Sequence, residues 1–434
     1  MPALTRKPDC IHSPVMGRLF LADANVIDGA GAVHAATTVV VEGAHILAVG
    51  RGDAIPQPTA GDRVIPIGGR TVMPGMVAGH AHLSYPNFDP DDLNSIDMAK
   101  PATYMAVIAT KNAEATLKAG FTAAAGAGSV HQIDRVLKDL IRQGIVDGPR
   151  IMACGQDIMP TGGGMDLKPS WWQFGMPGLA LICDGVDEVR RAVRLQAKEG
   201  NDFIKIYPQG GHGVPDRGRM DMHPDEIEAA VSAGHDKGKL VRAHVVTKPA
   251  ILECLKAGVD IIDHGNGMDD EVIEIMVRQG TYVLPSLYFA SIEPKYYAPR
   301  GDTMTPRDRI NLWFDRAAEK LAAAQAAGVK IVTGDDFGSA LTPHGDNGKE
   351  LAVYVNHLGL SAMDVLGWAT KNGAEMMRQG HAFGTIEAGK FADLLVVNGD
   401  PVADITLLGD PANLLVVMQG GRFITNQLNE AQEP

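Results

Sequence analysis

Two histidines separated by a single residue stand at the end of an apolar segment near the start of the chain. Segment 71–82 reads TVMPGMVAGHAH and closes with His80 and His82. If this segment is a strand, both imidazoles project from the same side at its end, because side chains alternate along a strand. Two such imidazoles form half of a metal site. In a chain with 14 histidines the pair alone does not exclude chance, so further ligands at other strand ends decide the matter.

Residues able to complete such a site follow later in the chain, each at or near the end of a short apolar segment. Lys205 lies within FIKIY, His244 ends KLVRAH, His264 ends VDIIDH, and Asp335 and Asp336 follow VKIVTG. Imidazole and carboxylate ligands without thiolates suit Zn²⁺, and also Mn²⁺ or Fe²⁺. A lone histidine at a strand end is usually structural, whereas four at the ends of strands that share one rim indicate a metal centre.

Lys205 has a chemistry of its own. Burial disfavours the charged form of a lysine, and a neutral amine is a nucleophile that can add CO₂. The resulting carbamate has two oxygens and can bridge two metal ions about 3.5–4 Å apart. The alternative is a lysine whose ammonium group reaches solvent at the mouth of the fold. With the histidines present, we favour the bridge.

The elements that must position these residues are eight apolar segments separated by amphipathic helical stretches. Parallel strands that alternate with helices over roughly 300 residues predict an α/β fold, a (β/α)₈ TIM barrel whose active site lies at the C-terminal strand ends. The predicted strands are TVMPGMVAG, FTAAAGAG (121–128), RIMACG (150–155), DFIKIY (202–207), KLVRAH (239–244), VDIIDH (259–264), TYVLPS (281–286) and VKIVTG (329–334).

Both ends of the chain differ from this middle region. Short β-branched runs separated by Gly, Asp and Pro fill the first part and return near the end in FADLLVVNGD and NLLVVMQGGRFI. This pattern is typical of strands and turns. We predict a small β-sandwich domain built from residues 1–73 and 380–434, and a metal-dependent hydrolase barrel over residues 74–379.

Composition limits the class of partner. The 434 residues carry 39 basic and 52 acidic side chains, a net charge of −13, which disfavours nucleic acid and anionic membranes and leaves a small-molecule substrate as the default. The chain has no apolar run long enough to span a bilayer and no signal-peptide pattern at its start. Its four widely spaced cysteines favour neither disulfides nor a thiolate site. We therefore expect a soluble cytoplasmic protein. The cysteines are Cys10, Cys154, Cys183 and Cys254.

The chain resembles the amidohydrolase superfamily over nearly its whole length, and specifically the members with a carbamylated lysine and a two-metal site. MPGMVAGHAH resembles the family's PG-x-x-D-x-H-x-H pattern, FIKIY its lysine strand, RAHV and IDHG its two histidine strands, and VTGDDFG its G-T-D-x-G. IEAGKFADLLVVNGDP resembles the return to the sandwich. The similarity is to the imidazolonepropionase-related branch, which includes Xaa-Pro dipeptidase-like enzymes and hydrolases of amide- or urea-containing xenobiotics.

This resemblance implies a role for each ligand residue. His80 and His82 would bind one metal together with Asp336, and His244 and His264 would bind the second. Lys205, as a CO₂-derived carbamate, would bridge the two divalent ions, with Zn²⁺ favoured. Asp336 is preferred over Asp335 because it matches the third position of G-T-D-x-G.

The implied reaction is hydrolysis of a carbon–nitrogen bond. A metal-bridging hydroxide would attack, and Asp336 would pass its proton to the departing nitrogen. Lys205 and His264 complete the predicted catalytic set through the metals. His131, Tyr207 and His212 follow strands two and four and are candidates for substrate binding, each with a bystander role as the alternative.

Two departures from the family pattern bear on the substrate. Ala78 stands where the family has Asp, which removes a partner behind the ligands. The segment TGGGMD (161–166) lacks a histidine that peptide-cleaving relatives carry, which disfavours dipeptides. Aromatic and apolar loop residues suit an aryl or alkyl substrate, although packing or a subunit interface explains them nearly as well. They are Met165, Trp171, Trp172, Phe174, Tyr288, Phe289, Tyr296 and Tyr297.

We therefore predict an enzyme that acts on an amide, urea or carbamate type of bond other than a peptide bond, in a chain expected to form homo-oligomers. A Xaa-Pro-type dipeptidase and a lactonase or phosphotriesterase-like esterase on the same metal centre remain alternatives. A one-metal deaminase is disfavoured by Lys205. A non-catalytic scaffold would be expected to have lost at least one ligand.

Overall fold

The computed structural model describes residues 17–89, 93–166, 168, 170, 178–210, 219–292, 317 and 319–428. Strands from both chain ends form one eight-stranded sheet with its own apolar core. The long β1 pairs with β4 along its first half and with β5 along its second half, so it belongs to both parts of the sheet. These strands are β1 (Arg18–Ile27), β2 (Val33–Glu42), β3 (His45–Gly50), β4 (Arg63–Pro66), β5 (Thr71–Pro74), β16 (Leu394–Val397), β17 (Leu414–Gln419) and β18 (Arg422–Asn426).

The middle of the chain supplies eight parallel barrel strands in sequence order, numbered here as staves one to eight. This arrangement confirms the predicted TIM-barrel class. Stave three is split into two short strands, the first of which pairs with stave two and the second with stave four. The strands are β6 (Met76–Ala81), β7 (Phe121–Gly126), β8 (Arg150–Met152) with β9 (Asp157–Met159), β11 (Phe203–Ile206), β12 (Leu240–Val245), β13 (Ile261–His264), β14 (Tyr282–Leu284) and β15 (Lys330–Ile331). A short β10 (Ala180–Ile182) pairs with β9.

The strand ladders do not form one continuous closed sheet among the described residues, and single backbone contacts join their edges. Between staves eight and one, Gly79 N donates to Thr333 O at 2.9 Å. Stave three bends at Gly155, whose φ is +74°. A Cβ at Gly155 would lie 2.3 Å from the Gln196 side chain, so only glycine fits at this bend.

Helices follow the staves as the amphipathic pattern predicts. Gly258 and Gly280 end α5 and α6 in the left-handed conformation, with φ values of 89° and 72°. The helices are α1 (Ala102–Lys118), α2 (Ile133–Arg142), α3 (Val186–Lys198), α4 (Pro224–His235), α5 (Lys248–Ala257), α6 (Asp270–Gln279), α7 (Tyr288–Ile292), α8 (Lys349–Ala352), α9 (Ala362–Gly367) and α10 (Gly373–Met376). Residues 319–327 are also helical. Among the described residues, none of the helices combines the length and apolar character needed to cross a membrane.

The barrel interior is layered because alternate residues of a strand face the same side. Phe203, Leu240 and Ile261 belong to one buried apolar cluster at the base. Two residues further along the same strands stand three buried charged side chains, which include the predicted ligand Lys205, and beyond them lie the predicted histidine ligands. An ionic layer therefore separates the apolar floor from those histidines. Its members are Lys205, Arg242 and Asp263.

The predicted division into two domains at residues 73/74 and 379/380 remains a prediction. The last strand of the chain-end sheet before the barrel, β5, ends at Pro74, and β6 begins at Met76.

Candidate metal centre

The first group of the candidate site gathers three side chains from staves one and eight. The Nε2 atoms of His80 and His82 lie 2.6 and 3.1 Å from the same oxygen, Oδ1 of Asp336. His82 Nδ1 lies 2.9 Å from the Gly128 carbonyl oxygen and so donates to it. This hydrogen bond leaves the Nε2 lone pair of His82 directed at the cluster, the tautomer that a metal ligand needs. The geometry fits a divalent cation.

The second group is the histidine pair on staves five and six. His264 Nε2 lies 2.9 Å from His244 Nδ1, and it lies 3.8 Å from Oδ2 of Asp336. One carboxylate therefore contacts the first histidine pair through Oδ1 and approaches the second pair through Oδ2. His244 and His264 therefore form a second pair of imidazoles close to Asp336.

His264 reaches this position through an unusual backbone conformation. It follows Asp263 directly, and regular alternation would turn its side chain away from the interior that Asp263 faces. Instead the φ of His264 is +72°, a left-handed conformation that is uncommon outside glycine and that often marks functional sites. The strand thus directs two consecutive side chains inward.

Lys205 lies in the ionic layer, where its Nζ donates to Oδ2 of Asp263. Arg242 holds the same carboxylate with two contacts, at 2.6 and 3.1 Å, and donates to the carbonyl oxygens of Gly79 and Gly126 at 3.2 and 2.7 Å. Burial by itself would raise the pKa of Asp263, but Arg242, Lys205 and His80 lower it well below its usual range. Asp263 is therefore a buried anion shared by Arg242 and Lys205.

Electrostatics favour ligand histidines that are neutral or balanced by carboxylates. Burial lowers the pKa of His82 to about 4, which leaves a neutral imidazole at neutral pH. Burial also acts to lower the pKa of His80, yet the nearby Asp336 and Asp263 carboxylates raise it overall.

Only one of the two adjacent aspartates faces the histidines. Asp335 is buried and accepts hydrogen bonds from the backbone N–H groups of Phe289 and Asp336, at 2.9 and 2.8 Å. Burial, assisted by the charge of Asp336, raises the pKa of Asp335 to about 7. The structure thus brings Asp336 to the candidate site and gives Asp335 to the supporting loop.

Two buried tyrosines flank the ligand histidines. Tyr207 stacks on His244 with 3.9 Å between ring centroids and an interplanar angle of 10°. Tyr85 stacks on His82 at 4.2 Å and 8°. Tyr207 was predicted as a substrate contact, whereas Tyr85 was missed because it lies three residues past His82 in a loop without a recognisable motif.

Of the two other predicted substrate residues, His131 and His212, the structure describes only His131. The backbone N–H of His131 donates to the Gly178 carbonyl oxygen at 3.0 Å. Burial lowers the pKa of the His131 imidazole, while Asp97 raises it and Lys168 lowers it. His212 lies outside the described residues, as do five of the eight aromatic or apolar loop residues. Those five are Trp171, Trp172, Phe174, Tyr296 and Tyr297.

The described loop residues have local packing roles. Met165 packs against the small cluster that contains Tyr207, and Tyr288 stacks on Phe337 at 5.7 Å. Phe289 contributes its backbone N–H to Asp335.

Asp157, on the upper half of stave three, was also missed. Ile158 pairs with Ile206, so Asp157 stands next to Lys205 across the ladder. Among the described residues its Oδ1 is buried without a hydrogen-bond partner, and burial raises its pKa to about 7. A single acidic residue two positions before Met159, in a strand of three residues, is too weak a signal to predict a site residue from sequence.

The chain is similar in sequence to known proteins. The sequence matches the amidohydrolase family over residues 71–424. An ochratoxinase from Aspergillus niger is 27% identical over 377 residues, which cover 81% of this chain and 75% of that protein.

Solved structures extend the similarity to the whole fold. A Xaa-Pro dipeptidase with bound methionine is 30% identical, with a TM-score of 0.79, and the match covers 94% of this chain and 99% of the other. A prolidase complexed with N-methylphosphonate-L-proline is 29% identical, with a TM-score of 0.81 and coverage of 94% and 100%.

Proposed function

The chain belongs to the amidohydrolase family, and we propose that it is a two-metal hydrolase that cleaves an amide, urea or carbamate type of C–N bond in a small substrate. The observation that carries this proposal is the position of Asp336 between two histidine pairs. Its Oδ1 lies 2.6 Å from His80 Nε2, and its Oδ2 lies 3.8 Å from His264 Nε2. A single carboxylate that joins two imidazole pairs is suited to a pair of cations.

Each group of ligands would hold one divalent ion. His80, His82 and Asp336 form the first set, and His244 with His264 forms the second. When bound, the ions would supply an activated water and polarise the scissile carbonyl. The imidazole and carboxylate donors, without a thiolate, favour Zn²⁺.

We propose that Lys205 joins the two sets as a carbamate. The amine nitrogen adds to CO₂, one proton leaves, and the product is an anion with two oxygens. Carbamylation would replace the amine group that donates to Asp263 by a second negative charge close to that carboxylate. Arg242, which contacts both oxygens of Asp263 at 2.6 and 3.1 Å, would remain as the counter-ion.

Asp336 is the group suited to move the proton. Its side chain is 23% exposed, whereas His80 and His264 are 1% and 2% exposed, so Asp336 alone of these three can meet both water and substrate. Its carboxylate would accept the proton of the attacking water and donate it to the leaving nitrogen, which departs as a neutral amine.

Two substrate classes have support. The buried rings of Tyr85 and Tyr207 beside the ligands suit an aryl or alkyl group, and the ochratoxinase to which the chain is similar is not named as a peptidase. The similarity to a Xaa-Pro dipeptidase at 30% identity favours a dipeptide as the second candidate. The segment 161–166, which lacks the histidine of peptide-cleaving relatives, makes us favour the first class.

A substrate panel tests the proposal. The chain, loaded with Zn²⁺ in the presence of bicarbonate, would be assayed against anilides, phenylureas, aryl carbamates and Xaa-Pro dipeptides, with His80→Asn as the inactive control. We expect metal-dependent release of an amine, fastest from the aryl compounds. A strong preference for dipeptides would replace the first substrate class by the second. Absence of turnover on every compound would contradict the proposal.

A further inference from the structure

The backbone that carries Asp336 is fixed from three sides just before the carboxylate. Gly334 packs against stave one so closely that a Cβ there would lie 2.3 Å from the His80 backbone nitrogen. The Gly334 carbonyl accepts a hydrogen bond from Ser286 Oγ at 2.8 Å. Its N–H donates to Oε1 of Glu350 at 2.9 Å. One residue, Gly334, thus links the strand of His80 to the loop of Asp336.

Glu350 is a buried carboxyl group that does not belong to either ligand set. It is 1% exposed and lies on the short helix α8, after the loop that follows stave eight. The oxygen that accepts from Gly334 also accepts from the Tyr354 hydroxyl at 2.7 Å. A single atom, Oε1 of Glu350, therefore accepts both hydrogen bonds.

Tyr354 anchors this carboxyl group to the outer part of the barrel. Its ring packs edge-on against Trp368, with 5.6 Å between centroids and an interplanar angle of 74°. Trp368 Nε1 donates to Gln325 at 2.8 Å, in the helical segment 319–327. Glu350 is thus held by packed aromatic rings, and rigid partners behind a ligand fix its orientation.

We propose that Glu350 is a positioning residue that sets the distance between Asp336 and His80 by holding the Gly334 peptide with its Oε1 atom. This inference rests on the proposed function, because it assigns the purpose of the clamp to metal binding by Asp336. The property that matters is an acceptor oxygen at this place, so a glutamine that keeps the Oε1 atom should serve, whereas an apolar side chain of the same length should not.

The test measures binding of Zn²⁺ alone by chelator competition, together with the melting temperature of the metal-free protein. Loss of an outer partner of a ligand typically weakens metal affinity about 10–100-fold. We expect Glu350→Met to weaken the affinity of the first zinc by at least about tenfold, and Glu350→Gln to stay within about threefold of wild type. A purely structural role would lower the melting temperature of Glu350→Met and leave the zinc affinity of the folded protein unchanged.

Ser286→Ala provides an independent variant should Glu350→Met fail to fold, because it releases the carbonyl of the same residue, Gly334. It should weaken zinc binding in the same direction. Wild-type affinity in the folded Met variant, or in Ser286→Ala where that replaces it, would overturn the inference, as would a Gln variant as weak as Met. A wild-type chain that binds no zinc would overturn the proposed function and this inference with it. Tight zinc binding by the wild type with unaffected variants would overturn this inference alone.

Discussion

Asp336 lies between the two histidine pairs, and its neighbours set its protonation state. Burial acts to raise the pKa of its carboxyl group, but His80 and His264 lower it well below the usual range. Asp336 is therefore an anion at neutral pH. An ionised carboxylate can serve both as a metal ligand and as a proton acceptor.

Asp336→Asn keeps the shape of the side chain and removes its basicity. General-base catalysis typically contributes about 10²–10⁴-fold, so we expect kcat to fall by that factor on the substrate identified by the panel. Asp187→Asn is the control, since its side chain on α3 is 97% exposed. Steady-state kinetics at pH 7 checks this, and near-wild-type kcat in Asp336→Asn would remove Asp336 from the mechanism.

Tyr207→Phe distinguishes a substrate-binding role of the Tyr207 hydroxyl from a packing role of its ring. Among the described residues the Tyr207 hydroxyl has no hydrogen-bond partner, whereas its ring is stacked on His244, so removing the hydroxyl should leave stability unchanged. If that hydroxyl bonds the substrate, kcat/KM should fall about 5–15-fold, the equivalent of a hydrogen bond of about 1–1.5 kcal/mol. Unchanged kcat/KM would make Tyr207 a packing residue only.

At the scale of single residues, spacing and strand position predicted the histidines and Lys205, and the resemblance to G-T-D-x-G gave the preference for Asp336 over Asp335. The supporting charges were not found, because a sequence does not reveal which charged side chains share a barrel interior. Arg242 and Asp263 each precede a ligand histidine, by two residues and by one, and were interpreted only as strand positions. Glu350 belongs to a different element altogether.

At the scale of elements, each of the eight predicted segments overlaps one stave, although β6 and β12 extend past the predicted ends and the upper half of stave three lies outside its segment. The split of stave three was not predicted, because it depends on Gly155 meeting the Gln196 side chain, a contact about 40 residues distant in sequence. The inward turn of His264 was equally hidden, since strand alternation predicts the opposite direction for consecutive residues.

The start of β1 offers a pH-dependent prediction at this scale. Asp62 accepts hydrogen bonds from the Arg18 side chain at 2.6 Å and from Thr59 N at 2.7 Å. The Arg18 contact, followed by that of Thr59, lowers the pKa of Asp62. A folded pKa below the unfolded value means that the stabilisation is present above the unfolded pKa of about 3.9 and is lost as pH falls through the folded pKa.

Asp62→Asn should therefore lower the melting temperature of the metal-free protein at pH 7, and the difference from wild type should shrink as pH falls below about 4. Thermal unfolding from pH 3 to 7 measures this, with the exposed Asp53→Asn in the same part of the chain as control. A difference that grows toward low pH would contradict the assigned sign.

At the scale of the whole molecule, the chain-end sheet is fastened to the barrel by Arg150. This residue begins the first half of stave three and contacts both carboxylate oxygens of Asp393, at 2.7 and 3.0 Å. Asp393 directly precedes β16 and is 2% exposed at its side chain. The guanidinium also lies 4.1 Å from the centre of the Phe391 ring. The residue pattern predicted a strand-rich region at the chain ends and a barrel in the middle. It did not predict this contact, because Arg150 and Asp393 lie 243 residues apart.

Arg150→Met should destabilise the protein by about 1–3 kcal/mol, because it leaves a buried carboxylate without its charged partner. Urea unfolding measures the change, with Arg278→Met, whose side chain is 63% exposed, as the control. Zinc binding by the folded variant should match wild type because Arg150 lies outside the ligand groups. Equal stability of the two variants would show that the contact contributes nothing to folding.

The number of metal ions held by each chain tests the central claim most directly. Elemental analysis of the Zn²⁺-loaded wild type should give about two ions per chain, the number that a two-metal hydrolytic site holds, and His244→Asn should lower this to about one while leaving the fold intact. A wild-type chain that holds one ion or none, or a His244→Asn variant that still holds two, would contradict the account.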